Sequence, residues 1–178
     1  MIIFMGVAGA GKSMQGKLLA DEMGLPWLST GEFLRMLVSG QVRKDMRNGK
    51  LLDDQQIIGL VRKIFNIVDT DNEFVLDGFP RTEAQADWLI NQVKHGQLKL
   101  TAVLNVKASE EVVRERLLAR GRQDDHDGAI AKRFKEYQET TLPLLKHFRD
   151  AGLRVIDIDG EQEPEAVHLA IKEAIRTV

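Results

Sequence analysis

Gly6-Val7-Ala8-Gly9-Ala10-Gly11-Lys12-Ser13 follows the apolar run Ile2-Ile3-Phe4-Met5 and opens a segment with helical spacing. It satisfies G-x-x-x-x-G-K-[ST] at every fixed position, between a strand and a helix as the pattern requires. The glycines permit a tight turn whose N–H groups converge on one concavity, and the following helix adds its positive N-terminus. That concavity suits a polyphosphate. Lys12 is placed to reach β- and γ-phosphates, and the Ser13 hydroxyl to face a magnesium ion or a phosphate oxygen.

Outward from this loop, apolar runs and helical periodicities alternate. Strands are expected at residues 2–5, 27–29, 73–77, 100–106 and 153–158. Helices are expected from Lys12 to Met23, from Thr30 with Ser29 or Thr30 as N-cap, within the polar stretch from Gly40 to Leu52, and from Asp53 to Ile67 behind the acidic pair Asp53-Asp54. Further helices are expected over 83–94, 109–120, 127–149 and 164–177. The one from Asp127 carries Ile130, Phe134, Tyr137, Thr141, Leu144 and Phe148 at steps of three and four, which predicts a single inner face bent at Pro143. Such alternation implies an α/β fold with a parallel sheet covered on both faces. Ligands of such sheets bind at the carboxyl ends of the strands. Residues 6–13, 29–35 and 77–81 each follow a strand, so they are expected to meet in one cleft.

A chain of 178 residues, 43% hydrophobic and 29% charged, is the size of one domain with its own core. The net charge of −2 argues against a protein that coats nucleic acid or an acidic membrane. No cysteine is present, which removes disulfides, thiolate catalysis and cysteine zinc sites. The first residues read neither as a signal peptide nor as a membrane span, so a cytoplasmic protein is expected.

Asp77 closes an apolar strand, and in phosphate-loop proteins an acid at such a strand end commonly holds magnesium through water. Arg35 and Arg81 follow strand-end loops, while Arg116, Arg120, Arg122 and Arg133 cluster around one short connection, with Gly121 breaking the helix between them. Any one of these arginines could instead be a surface residue paired with Asp124, Asp125 or a glutamate. Together they suit a site that holds two polyphosphates and neutralises a phosphoryl group in transfer. His95, His126, His147 and His168 all read as surface positions, so no general base stands near the loop. A phosphate acceptor needs none, because its second ionisation near pH 6 already makes it a nucleophilic oxyanion.

Gly6 to Gln15, Ser29-Thr30-Gly31 with Arg35, Gly49-Lys50-Leu51, Asp77-Gly78-Phe79-Pro80-Arg81 with Gln85, and Arg120-Gly121-Arg122 through Asp124-Asp125 to Arg133 together resemble the adenylate kinases of the short-lid bacterial type. The resemblance implies a three-layer P-loop fold with a five-stranded parallel sheet, a small helical acceptor-binding region (about 30–58) and a minimal lid (about 120–127). It implies transfer of the γ-phosphoryl group of MgATP to AMP by a monomer whose partners are small nucleotides, with magnesium and without structural zinc. Gly9, Ala10, Gly11, Lys12, Ser13, Met14, Arg116 and Arg120 would then bind ATP, with Arg116 stacking on its adenine. Thr30, Leu52, Ile57, Gly78 and Gln85 would surround the AMP base, Arg35 and Arg81 would clamp its phosphate, and Arg122 and Arg133 would stabilise the group in flight. Metal contacts would fall to Ser13 and Asp77.

The chain departs from that family at Ser13-Met14, where Gly and Thr are usual, and in a shorter stretch between Arg35 and Lys50. Two alternatives stand beside AMP phosphorylation. One is a P-loop kinase for CMP, UMP or another small acceptor, against which Thr30 and Gln85 weigh; the other is a nucleotide-binding module without turnover.

Overall fold

The computed structural model describes residues 1–37, 40, 53–122 and 125–176. Its elements are β1 (Ile2–Met5), α1 (Lys12–Met23), β2 (Trp27–Ser29), α2 (Thr30–Leu37), α3 (Asp54–Phe65), β3 (Val75–Asp77), α4 (Glu83–Lys94), β4 (Ala102–Lys107), α5 (Glu110–Arg120), α6 (Asp127–Glu136), a π-turn (Tyr137–Thr141), α7 (Leu142–Asp150), β5 (Val155–Asp159) and α8 (Pro164–Arg176). The helix expected after Gly40 and the candidate residue Leu52 lie outside the described residues.

The strands form one parallel sheet in the order β2-β3-β1-β4-β5. β1 is central, with β3 on one side and β4 on the other. The loop after it therefore sits where the strand order reverses, the crevice in which α/β sheets bind ligands. Phe4 and Ser29 align with Asp77, and Met5 and Asp157 align with Asn105. The carboxyl ends of β2 and β3 thus finish level, and β1 runs one residue further.

Successive residues of a strand point to opposite faces. Ile3 and Met5 enter a core with Val61 of α3, Leu89 of α4 and Phe148 of α7. Ile2 and Phe4 enter a second core with Leu19 of α1, Leu117 of α5, Ile130 of α6 and Ile171 of α8. Each such side chain contributes about 1.5–3 kcal/mol on burial, more than an exposed ion pair supplies. The two apolar layers cover both faces of the sheet, and its carboxyl edge carries the polar loops.

Two expectations need correction. The segment expected as one helix from Asp127 to Arg149 stays helical throughout, but its α-helical ladder is interrupted by the π-turn ahead of Pro143, and Pro143 stands in the first turn of α7. A π-turn adds a residue to the helical ladder and rotates the helix beyond it. The apolar stripe divides accordingly: Ile130, Phe134 and Tyr137 pack on one side of the sheet, Leu144 and Phe148 on the other. His168, expected at the surface, is 8% exposed, because it shares the inward face of α8 with Val167 and Ile171. Its Nε2 meets the Glu22 carboxylate of α1 at 2.6 Å.

Candidate active site

The phosphate loop is built tightly against the sheet. Gly6 has φ 136°, and a Cβ there would lie 2.3 Å from the Val106 carbonyl oxygen, so only glycine lets β1 turn beside β4. A Cβ on Gly9 would meet Leu117 at 2.9 Å, which shows how closely α5 is applied to the loop. Gly11 precedes α1, and no side chain caps that helix, whose first turn also lacks an acid. Its leading N–H groups suit an anion. Lys12 Nζ donates to the Val7 carbonyl at 2.8 Å, curling over the loop. Burial lowers its pKa from 10.5 to about 8; Asp77 opposes the shift, while Arg81 and Arg120 add to it. Ala10 is buried, and the Met14 side chain is 51% exposed.

The three strand-end segments meet at Asp77. Its Oδ2 accepts a hydrogen bond from Ser13 Oγ at 2.5 Å and from Ser29 Oγ at 3.4 Å, and its carbonyl accepts from Thr30 Oγ1 at 3.2 Å. Asp77 is only 3% exposed, so the hydroxyls replace the water it gives up. A hydroxyl and a carboxylate are hard oxygen donors of the kind magnesium takes. Among the described residues no group of three or more His, Cys, Asp or Glu could hold a metal alone. Ser13 and Asp77 fit magnesium as an ion that depends on phosphate oxygens and water for its remaining ligands.

On the β3 side, Gly78 has φ 82°, and a Cβ there would stand 2.9 Å from Thr30 Oγ1 and 3.2 Å from Arg81 Nη2. Arg81 Nε donates to the Gly78 carbonyl at 2.9 Å. Burial lowers the Arg81 pKa; the Asp77 and Glu136 carboxylates oppose the shift and the Arg133 charge adds to it. Arg35 lies along Gly31, with Nη1 3.4 Å from the position of a Cβ there. Gln85 is buried at the start of α4: its Oε1 accepts from the Arg81 backbone N–H at 2.9 Å and its Nε2 donates to Asp54 Oδ1 at 2.8 Å. Ile57 is 7% exposed within the core of that face.

The remaining arginines are organised by one acid. Arg120 makes a two-pronged contact with Asp125, Nε to Oδ2 at 2.8 Å and Nη2 to Oδ1 at 2.7 Å. The Arg122 backbone N–H donates to Asp125 Oδ2 at 3.1 Å, and Arg133 Nη1 stands 3.4 Å from Oδ1. Pairing with Asp125 was one reading of the sequence, but as a surface pair; the Asp125 side chain is fully buried. Burial works to raise its pKa, and the Arg120 and Arg133 contacts with the Arg122 N–H outweigh it, leaving the carboxyl below its ordinary range. Gly121 ends α5 as expected, and the Arg122 side chain is exposed. Arg116 Nη1 donates to the Gly160 carbonyl at 2.7 Å, which fixes it beside the loop after β5.

Sequence reasoning missed the parts played by Asp54, Glu136 and Gly160, and missed that Asp125 is buried. Asp54 carried a signal only as a helix-start acid, a role that Asp53 fills by accepting from the Gln55 and Gln56 N–H groups. Gly160 carried no motif at all.

A family model described as adenylate kinase matches residues 4–153. The chain belongs to the adenylate kinase family. An adenylate kinase of Corynebacterium urealyticum is 39% identical over 93% of both chains. Adenylate kinase 1 of Synechocystis is 35% identical over 98% of this chain and 96% of its own, and the adenylate kinase of Rhodopirellula baltica is 38% identical over 98% and 94%. The five-stranded parallel sheet is the fold that the adenylate kinase resemblance implies. The chain is thus an enzyme of the nucleoside monophosphate kinase class, a nucleotide-binding phosphotransferase. No helix among the described residues is long and apolar enough to cross a membrane.

Proposed function

We propose that this enzyme transfers the γ-phosphoryl group of MgATP to AMP, giving two ADP. The observation that carries the reading is the meeting of two cation-bearing loops at Asp77: Ser13, next to Lys12 in the loop after β1, donates to Asp77 Oδ2 at 2.5 Å, and Arg81, after β3, is held by the Gly78 carbonyl at 2.9 Å, one residue beyond Asp77. One loop suits the donor and the other the acceptor. Gly9, Ala10, Gly11, Ser13 and Met14 would cradle donor phosphates through backbone N–H groups, with Lys12 on the β- and γ-phosphates, Arg120 beside them and Arg116 on the adenine. Arg35 and Arg81 would hold the AMP phosphate, while Thr30, Leu52, Ile57, Gly78 and Gln85 enclose its base. An AMP oxygen then attacks the γ-phosphorus as the β–γ bridging bond breaks, and Arg122 and Arg133 neutralise the equatorial oxygens. Magnesium, when bound, neutralises and orients the donor phosphates, with Ser13 and Asp77 as its protein side, in part through water.

The Asp125 contact gives the donor-side arginines a defined resting position. Phosphate oxygens would compete with Asp125 for Arg120 and Arg133, so binding exchanges one charge-assisted partner for another. The acceptor region spans about residues 30–58 and the lid about 120–127 in a single cytoplasmic, monomeric domain. The decisive experiment is ADP formation with AMP, CMP, UMP and dAMP as acceptors. AMP is expected to give the highest kcat/KM. Preference for a pyrimidine would overturn the substrate assignment, and nucleotide binding without ADP formation would leave a binding module in its place.

A further inference from the structure

Gln85 is buried, and both ends of its amide already have partners. On one side stands the Arg81 backbone N–H, which can only donate; on the other stands the Asp54 carboxylate, which can only accept. The atom facing Arg81 must therefore be Oε1 and the atom facing Asp54 must be Nε2. A flipped amide would set its NH2 against an N–H and its oxygen against a carboxylate. Two hydrogen bonds would be lost, one of them charge-assisted, and two repulsions gained.

We propose that Asp54 is a positioning residue that sets base specificity: with the Arg81 N–H it locks Gln85 in one orientation, so that the acceptor site reads 6-aminopurine monophosphates and rejects 6-oxopurine monophosphates. This rests on the assignment of Gln85 to the acceptor base. After its two protein contacts, Gln85 retains one N–H and one oxygen lone pair. A 6-aminopurine offers an acceptor at N1 beside a donor at the 6-amino group, which matches that pair in its locked order. A 6-oxopurine offers a donor at N1 beside an acceptor at O6, which needs the flipped amide. The base need not be larger or smaller to be refused.

Asp54 is well held for this work. It is the first residue of α3, and the same Oδ1 accepts the Thr82 hydroxyl at 2.6 Å. Thr82 in turn caps α4, its Oγ1 lying 3.4 Å from the Gln85 backbone N–H. One carboxylate thus ties α3 to the helix start that carries the reading amide.

Asp54→Asn keeps the shape but removes the fixed polarity. An asparagine amide can turn either its oxygen or its nitrogen toward Gln85, and the Thr82 hydroxyl can donate or accept in response. The test measures kcat/KM for AMP and IMP in wild type, Asp54→Asn and Asp54→Ala, with thermal melting of each. These two nucleotides have the same size and differ at the edge that Gln85 reads. Wild type is expected to prefer AMP strongly. Both variants are expected to lower the AMP-to-IMP ratio about tenfold or more, the worth of one charge-assisted hydrogen bond. A ratio unchanged within twofold, or equal losses for both substrates as a purely structural tie would give, overturns the proposal. Wild type that does not distinguish AMP from IMP overturns it as well. Wild type that phosphorylates neither overturns the acceptor assignment itself, and the lock falls with it; that failure is visible before any substitution is made.

Discussion

Replacing Gly160 with alanine is expected to weaken ATP binding through the backbone of the phosphate loop. An ideal Cβ on Gly160 would lie 2.6 Å from Val106 Cγ1, 2.8 Å from the Ala10 carbonyl oxygen and 2.8 Å from the Lys107 carbonyl oxygen. The valine methyl can rotate away, but the two carbonyls cannot. Lys107 is the end of β4 and its carbonyl accepts the Gly160 N–H at 2.8 Å, while Ala10 is buried inside the phosphate loop. The new methyl must push the loop outward or carry the loop after β5 with it, and the second movement takes the Gly160 carbonyl away from Arg116. Overpacking of this kind costs about 1–3 kcal/mol. Borne by the phosphate loop, that is about a 5- to 150-fold loss of ATP affinity. Borne by the fold, it is a fall in Tm of about 2–4 °C per kcal/mol. Titration calorimetry with ATP and thermal melting of the same preparation read both. Gly59→Ala is the comparison, since a Cβ in that part of α3 meets nothing within 4 Å. It is expected to leave ATP affinity alone and raise Tm by a few degrees, as alanine gains about 0.5–1 kcal/mol over glycine in a helix. Unchanged ATP affinity and unchanged Tm in Gly160→Ala would refute the reasoning.

Arg133→Ala is expected to lower turnover by about a thousandfold or more while altering ATP affinity far less, because its charge is needed when the phosphoryl group is in transfer; near-normal turnover in a steady-state assay would exclude that role. Lys12→Met is expected to abolish turnover yet raise Tm at neutral pH, since a desolvated ammonium is removed. The folded pKa of about 8 lies below the unfolded value, so the native state binds fewer protons between pH 8 and 10.5; wild-type stability rises with pH there, and the advantage of the variant must shrink between melts at pH 7 and pH 10. Asp125→Asn is expected to destabilise by about 1–3 kcal/mol at pH 7, having lost charge-assisted bonds to Arg120 and Arg133. The Asp125 pKa is depressed, so its contribution is present above the ordinary value of 3.8 and lost as pH falls through the folded value; acid melting curves of wild type and variant must converge.

Interactions between near neighbours were legible in the chain alone. A strand, eight residues of fixed pattern and a helix start specify the phosphate loop, because glycine geometry and helix polarity act within one turn of chain. Hydrophobic runs long enough to be buried on both faces named the parallel sheet, and Gly121 marked the end of α5 through its αL conformation. Interactions between distant segments were not legible. Asp53 and Asp54 are chemically identical neighbours, and nothing local says that one caps α3 while the other reaches Gln85, 31 residues on. Asp125 read as a surface partner of arginines until folding buried it beneath them. Helical periodicity treated residues 127–149 as one rod, although the Tyr137 hydroxyl bonds to Asn105 of β4 at 3.1 Å within the π-turn that divides it. Local backbone preference and burial pattern determined which segments form the elements and which loop holds phosphate. The fold alone decided which charged side chains lie opposite each other, because charge pairing and amide orientation depend on distances between segments that the chain brings together only when it is folded.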